Sequence, residues 1–214
     1  ISEMALVEPG ESLTHSFKTK SSLDEKLRRT TIKGPVGFSH PVDGQKVDRP
    51  AYLNWYQISY GGGDSEHNLT LGLPQQDRLI QAKVGPAEFF LTPAQRITSG
   101  PPSDVPESLG LFKAYRVIEL QGWKTREAKL AGTFSGVNSV SLSDAVYICL
   151  PAEESHHDEV IEIQDPTACW IVFKTDKSTT KTKVTSIDQL GMQNLSSISA
   201  EHILVPAKLV VKKK

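Results

Sequence analysis

The chain has 214 residues, of which 38% are hydrophobic and 23% are charged, and its formal net charge is −1. These values are ordinary for a globular protein that is large enough to bury a core. A chain without excess positive charge cannot readily displace the counterions of a nucleic acid, so we expect no nucleic-acid partner. No run approaches the roughly 18 consecutive apolar residues of a membrane-spanning helix, so we expect no membrane span.

The first 34 residues carry little core-forming pattern, and we interpret residues 1–34 as an extended N-terminal arm. An arm of this kind is suited to reach across a neighbouring subunit and to become ordered on binding. The chain begins with Ile1 rather than Met, and we expect that a signal peptide has been removed.

Three strand-like apolar runs end in the dipeptide Pro-Ala. They are Phe89-Phe90-Leu91-Thr92-Pro93-Ala94, Tyr147-Ile148-Cys149-Leu150-Pro151-Ala152 and His202-Ile203-Leu204-Val205-Pro206-Ala207. Each follows a segment in which a hydrophobic residue stands three positions before an aromatic one. These segments are Leu53-Asn54-Trp55-Tyr56, Phe112-Lys113-Ala114-Tyr115 and Trp170-Ile171-Val172-Phe173. The aromatic residue and the proline are separated by 37, 36 and 33 residues, which indicates an internal triplication.

The fold class follows from the composition of the segments between the turns. They are rich in β-branched and aromatic residues, and 13 prolines and 15 glycines interrupt them at short intervals. We predict an all-β protein with three related antiparallel units, residues 35–97, 109–153 and 160–211. Because a unit of this size cannot bury its apolar face alone, the three should pack as one barrel- or sandwich-like body with pseudo-threefold character.

The motifs of these units resemble an uncharacterised family of secreted bacterial proteins, largely from planctomycetes, with repeats of the form LxxYxV, DQFG and LxVPAxK. The third unit carries this frame most completely, with Asp188-Gln189-Leu190-Gly191 in a turn and Ile203-Leu204-Val205-Pro206-Ala207-Lys208 closing the strand. The second unit matches at Phe112-Lys113-Ala114-Tyr115-Arg116-Val117, and the first matches at its opening and closing strands. The resemblance implies an exported, extracytoplasmic protein and brings no known activity.

Cys149 and Cys169 end the second unit and open the third, respectively. If their strands are neighbours, a disulfide between them would stabilise the fold by about 3 kcal/mol. Two buried free thiols are the alternative, and the spacing leaves both open. Some relatives in the resembled family carry cysteines at these opening and closing positions, which favours export.

No segment predicts a catalytic, cofactor or metal site. The densest set of ligand-type side chains is Glu153–Glu159, which includes His156 and His157. Adjacent residues on an extended chain point to opposite sides, so we interpret this segment as a hydrophilic joint rather than a metal site. Trp123 follows a glycine in a polar hairpin, and Tyr60 precedes a glycine-rich tip. Both are candidates for contact with a partner, since exposed aromatic residues often anchor interfaces.

We therefore expect a non-enzymatic, exported structural or interaction module that is a subunit of a larger envelope or surface assembly, with a protein partner or self-assembly. The alternative is a carbohydrate- or ligand-binding module, which predicts a concave face with Trp123 or Tyr60 exposed beside polar groups. A capsid-like shell protein is a second alternative. The triplication speaks against it, because a jelly roll is not built from three sequential units.

Overall fold

A computed structural model describes residues 1–8, 13–41, 52–60, 65–73, 76–97, 105, 109–132, 136–157, 159–178 and 182–210. These residues form antiparallel strands and turns, which confirms the predicted all-β class. The strands are β1 (Ser2–Glu8), β2 (Leu13–Ser21), β3 (Arg28–Pro41), β4 (Tyr52–Tyr60), β5 (His67–Leu73), β6 (Gln76–Ile97), β7 (Leu111–Gln121), β8 (Arg126–Gly132), β9 (Gly136–Leu142), β10 (Asp144–His156), β11 (Glu159–Ile161), β12 (Ala168–Ser178), β13 (Lys183–Asp188) and β14 (Gly191–Leu209). No helix in the described ranges is long and apolar enough to cross a membrane.

The three predicted repeats form the same pair of strands in the same register. The pairs are β4 with β6, β7 with β10, and β12 with β14. The first residue of each opening motif lies opposite the proline of its closing strand. These pairs are Leu53 with Pro93, Phe112 with Pro151, and Trp170 with Pro206. Since a slip of one residue would turn every side chain to the other face, this shared register is strong evidence for the triplication.

The junctions between successive units also repeat. Leu91 of β6 lies opposite Phe112 of β7, and the equivalent Cys149 of β10 lies opposite Trp170 of β12. Between the third unit and the first, however, β14 pairs with β1, β1 pairs with β3, and β3 pairs with β4. The pairings therefore close into a ring of eight strands, in the order β1, β14, β12, β10, β7, β6, β4 and β3.

The N-terminal segment is part of this sheet, which corrects the arm predicted for residues 1–34. β1 fills the gap between the third and first units, where Ser2 lies opposite both Leu204 and Pro41. β2 pairs with β3 on one side and with β10 on the other. β3 itself runs through residue 34, the predicted end of the arm. The segment is ordered by pairing with strands that are far away in the chain. Its own composition does not predict this pairing.

Equivalent residues from the three units fill the interior of the ring. Three cross-strand pairs occupy the same position in the repeat and lie in one buried cluster. They are Trp55 with Leu91, Ala114 with Cys149, and Val172 with Leu204. Met4 of β1 belongs to the same cluster and is 2% exposed, so the closing strand also contributes to the interior.

The opposite face of the same strands is covered largely by the part of the first unit that lies between its opening and closing motifs. Tyr115, Ile148, Phe173 and Ile203 point to this face and pack with residues of β5 and of the first half of β6, such as Leu71 and Ile80. The body therefore has an inner and an outer apolar layer on either side of the ring, consistent with the predicted sandwich-like arrangement.

Replacing Met4 with alanine tests the role of β1 as a structural strand. Truncating a buried methionine should reduce the free energy of unfolding by about 2–4 kcal/mol, because the interior cannot fully close around the cavity. Urea denaturation followed by tryptophan fluorescence measures this loss. Glu8→Ala at the exposed end of the same strand is the control and should change stability by about 0.5 kcal/mol or less. Equal stability of the two variants would restore the interpretation of β1 as an independent arm.

Candidate functional site

An open groove of about 500 Å³ lies where the three units meet, and we call it the junction groove. The first unit contributes the end of its closing strand, the second its opening residues, and the third its β11 segment and the turn after β13. The lining residues are Pro93, Gln95, Val105, Leu109, Gly110, Leu111, Ile161, Gln164, Ile187, Asp188 and Gln189. The walls are mostly apolar, and three carboxamides and one carboxylate supply the polar groups.

Asp188 is held in place by side chains of the first unit. Its Oδ2 accepts hydrogen bonds from Asn54 Nδ2 (2.8 Å), Tyr56 Oη (2.7 Å) and Thr92 Oγ1 (2.6 Å). Its Oδ1 accepts a fourth bond from the backbone N–H of Leu190 at 2.8 Å, which closes an Asx turn. Burial and the neighbouring Asp188 carboxylate raise the pKa of Tyr56, so the phenol remains protonated and donates. This turn is the Asp-Gln-Leu-Gly motif, and its carboxylate links the third unit to the first.

Glu154 of β10 lies beside this turn and holds the side chain of Gln189. Gln189 Nε2 donates a hydrogen bond to Glu154 Oε2 at 2.5 Å. Burial, and to a lesser degree the charge of Asp188, raise the pKa of Glu154 to about 7, although the bond from Gln189 acts in the opposite direction. Glu154 does not line the groove. It acts on the groove only through its hydrogen bond with Gln189, which does line it.

The second unit carries a parallel arrangement at the equivalent positions of its opening strand. Lys113 Nζ donates to Asp24 Oδ2 at 2.9 Å, and the backbone N–H of Ser21 donates to the same oxygen at 2.9 Å. The hydroxyls of Ser21 and Tyr115 share a hydrogen bond of 2.5 Å. Burial lowers the pKa of Lys113 and acts to raise that of Asp24, but the Lys113 ammonium and the Ser21 bonds leave the Asp24 pKa below its usual value.

The two cysteines are free and buried, which argues against the candidate disulfide between Cys149 and Cys169. Their strands are neighbours, which is the condition that a disulfide required. The register, however, places Cys149 opposite Trp170, so Cys169 points to the other face of the sheet. Cys149 lies in the interior cluster and Cys169 in the outer layer. Burial raises the pKa of Cys169 to about 12 and raises that of Cys149 as well, so both groups remain thiols.

Trp123, one of the two predicted aromatic contacts, does not line the junction groove. Trp123 packs its ring on Phe173 with a centroid distance of 4.6 Å, and its Nε1 donates to the carbonyl of Leu142 at 2.7 Å. The guanidinium carbon of Arg126 lies 5.1 Å from the centroid of the same ring. Trp123 therefore covers the third unit's outer aromatic residue. The side chain of Tyr60 lies outside the described residues.

Sequence reasoning did not predict the junction groove, although it placed Pro93, Asp188 and Gln189 in the repeat motifs. The lining residues come from segments near residues 93, 110, 161 and 188, and only folding brings them together. The available signal was the combination of the repeat with the Asp-Gln-Leu-Gly turn. Among the described residues, no group of three or more histidine, cysteine or acidic side chains is placed to hold a metal ion.

The strands and their shared register define an all-β protein built from three sequential repeats. The chain belongs to the family described as Repeat of unknown function (DUF7450), whose model matches residues 52–206. That match begins at the first residue of β4 and ends at the proline of the third closing strand, so it excludes β1 and β3. No curated protein and no solved structure matches the chain. Membership of an uncharacterised repeat family is thus confirmed, and a bacterial, exported origin remains a prediction.

Asp188→Asn should show how much the link between the first and third units contributes to stability. The variant keeps the size of the side chain but loses acceptors for buried donors, so we expect a loss of about 2–4 kcal/mol in the free energy of unfolding. Asp165→Asn is the matched control, because Asp165 forms a similar turn with Thr167 in an exposed position. Urea denaturation of both variants measures the difference. Comparable losses would show that Asp188 acts only within its own turn.

Glu154→Gln should change the pH dependence of stability. The folded protein holds a proton on Glu154 up to about pH 7, whereas the carboxyl group normally releases it near 4.5. The stability that this proton contributes is complete below pH 4.5 and is lost as the pH rises through 7. The neutral amide of the variant has no such proton to lose. Relative to wild type, its free energy of unfolding should therefore rise by about 1–3 kcal/mol as the pH increases from below 4.5 to above 7. Thermal unfolding across this pH range tests it, and a constant difference between the two proteins would contradict it.

Proposed function

We propose that the protein is a non-enzymatic interaction module that binds an extended polypeptide segment of a partner in the junction groove. The observation that carries this proposal is the groove's construction. The mostly apolar walls also carry the carboxamides of Gln95, Gln164 and Gln189. A carboxamide both donates and accepts hydrogen bonds, as a peptide group does, so these three side chains suit the backbone of a bound strand.

The edge of the sheet beside the groove supports the same ligand class. β11 pairs with β10, and none of the other described strands pairs with its outer side. Val160 and Ile161 of β11 are 57% and 39% exposed, and Ile161 also lines the groove. A short, exposed strand edge next to apolar pockets is the arrangement used for strand addition, in which backbone bonds give affinity and pockets give specificity.

The polar groups at the groove favour a binding role over a catalytic one. Asp188 accepts four hydrogen bonds from the protein, so its carboxylate is engaged in holding the turn. Glu154, whose pKa of about 7 would suit a general acid or base, contacts Gln189 and does not line the groove. The groove's described lining also lacks an aromatic residue, which weighs against the carbohydrate-binding alternative.

The wider setting of the module is part of the proposal. The resemblance to secreted proteins supports an extracytoplasmic location and a role as a subunit of an envelope or surface assembly. The N-terminal segment does not support that role, because β1 and β2 belong to the sheet. Contact with a partner is therefore assigned to the junction groove and β11.

Selection of random peptides on the immobilised protein tests this function. We expect enrichment of extended peptides with alternating apolar side chains, and Ile161→Asp should weaken their binding about tenfold or more, since it places a charge at the centre of the contact. Leu79→Asp is the matched control, because Leu79 is also an exposed apolar strand residue, 59% accessible, that does not line the groove.

Two outcomes would contradict the proposal. One is the absence of any enriched peptide, and the other is binding that Ile161→Asp and Leu79→Asp affect equally. A parallel glycan array provides the comparison for the alternative function. Saturable glycan binding that Ile161→Asp abolishes would assign the groove to carbohydrate instead.

A further inference from the structure

A second concave surface lies on the other side of the β10–β11 hairpin and has a different chemistry. It has a volume of about 390 Å³ and is lined by Ser16, Phe17, Lys18, Arg29, Ser155, His156 and His157. We call it the basic groove. Its lining includes four side chains that are or can become cationic, two hydroxyls and no carboxylate.

The cations of the basic groove converge because of strand register. Lys18 of β2 lies directly opposite Arg29 of β3 and, on its other side, opposite Ser155 of β10. Like charges directly opposite each other in a sheet are destabilising. Neither Lys18 nor Arg29 forms an ion pair with a carboxylate in the described part of the chain. An anion between them would relieve this repulsion.

The two histidines reach the same groove because the backbone departs from an extended conformation. His157 has a φ of 53°, in the left-handed region that few non-glycine residues adopt. As a result the rings of His156 and His157 lie 4.2 Å apart. This corrects the expectation that adjacent residues in this joint point to opposite sides. Both side chains are exposed, so their ring nitrogens are accessible to a ligand.

We propose that the basic groove binds a phosphate- or sulfate-type oxyanion. Lys18 and Arg29 supply the charge, and the hydroxyls of Ser16 and Ser155 supply neutral donors. The Ser16 hydroxyl already lies 2.8 Å from Thr31 Oγ1, which fixes its position on the sheet. Arginine suits such a ligand because its planar group can donate two parallel hydrogen bonds to one oxyanion.

The acidic neighbours of the groove lie outside its lining. Glu153 lies opposite Lys20, and Glu159 lies opposite His156, but neither lines the groove. An anion in the groove would therefore face Lys18 and Arg29 without a carboxylate among the lining residues.

Titration with sodium sulfate, followed by backbone amide NMR at fixed ionic strength, tests the proposal. We expect saturable shifts at residues 16–18, 29 and 155–157. Lys18→Gln combined with Arg29→Gln should weaken binding about tenfold. His156→Gln combined with His157→Gln should weaken it less, because Lys18 and Arg29 supply the charge.

Lys129→Gln is the control, because Lys129 is an exposed lysine on the separate β8–β9 sheet. The proposal is overturned if the shifts do not saturate, or if Lys129→Gln weakens binding as much as the Lys18 and Arg29 changes do. Titration with inorganic phosphate and with methyl phosphate at about pH 8, where both are mostly doubly charged, then distinguishes the source. Comparable affinity indicates that the groove accepts the anionic group of a larger molecule, and binding of the inorganic ion alone indicates a free anion.

Discussion

The structure depends on closing the ring of strands around a shared interior. Three units alone provide six strands, and each unit contributes an equivalent cross-strand pair to the interior. These pairs differ greatly in size, from Trp55 with Leu91 to Ala114 with Cys149. Close packing requires that total volume be conserved, so the large pair of the first unit offsets the small pair of the second. The symmetry is therefore one of register rather than of side-chain size, and Met4 of the closing strand occupies part of the same space.

The outer face of the opening strand is polar and hydrogen-bonded in the first two units and apolar in the third. In the first two units the opening strand presents tyrosine with a polar residue two positions earlier, and a turn aspartate receives their hydrogen bonds directly or through a serine. In the third unit the same positions hold Ile171 and Phe173, and Trp123 packs on the phenyl ring. Buried polar networks of this kind specify position, since a buried donor without an acceptor is strongly destabilising. Asp188 and Asp24 thus act as connectors between distant segments.

Much of the ring could be predicted from the sequence, because its information is local and repeated. The spacing of Tyr56 and Pro93, and its two counterparts, identified the opening and closing segments of each repeat. The N-terminal segment was misinterpreted because β1 is short and pairs with a strand almost 200 residues away, which no periodicity records. The cysteines illustrate a finer limit. Their strands are neighbours, but a one-residue offset in register separates Cys149 from Cys169 by the thickness of the sheet.

Neither groove could be predicted, because each is formed by segments that are distant in the sequence rather than by a single repeat. The junction groove draws on all three units, and the basic groove requires β2 and β3 to lie beside the end of β10. The β10–β11 hairpin separates the two grooves, and its two sides differ in charge and polarity. A partner that carries an apolar segment next to an anionic group would engage both surfaces at once, and linking the two contacts would raise its affinity above that of either alone.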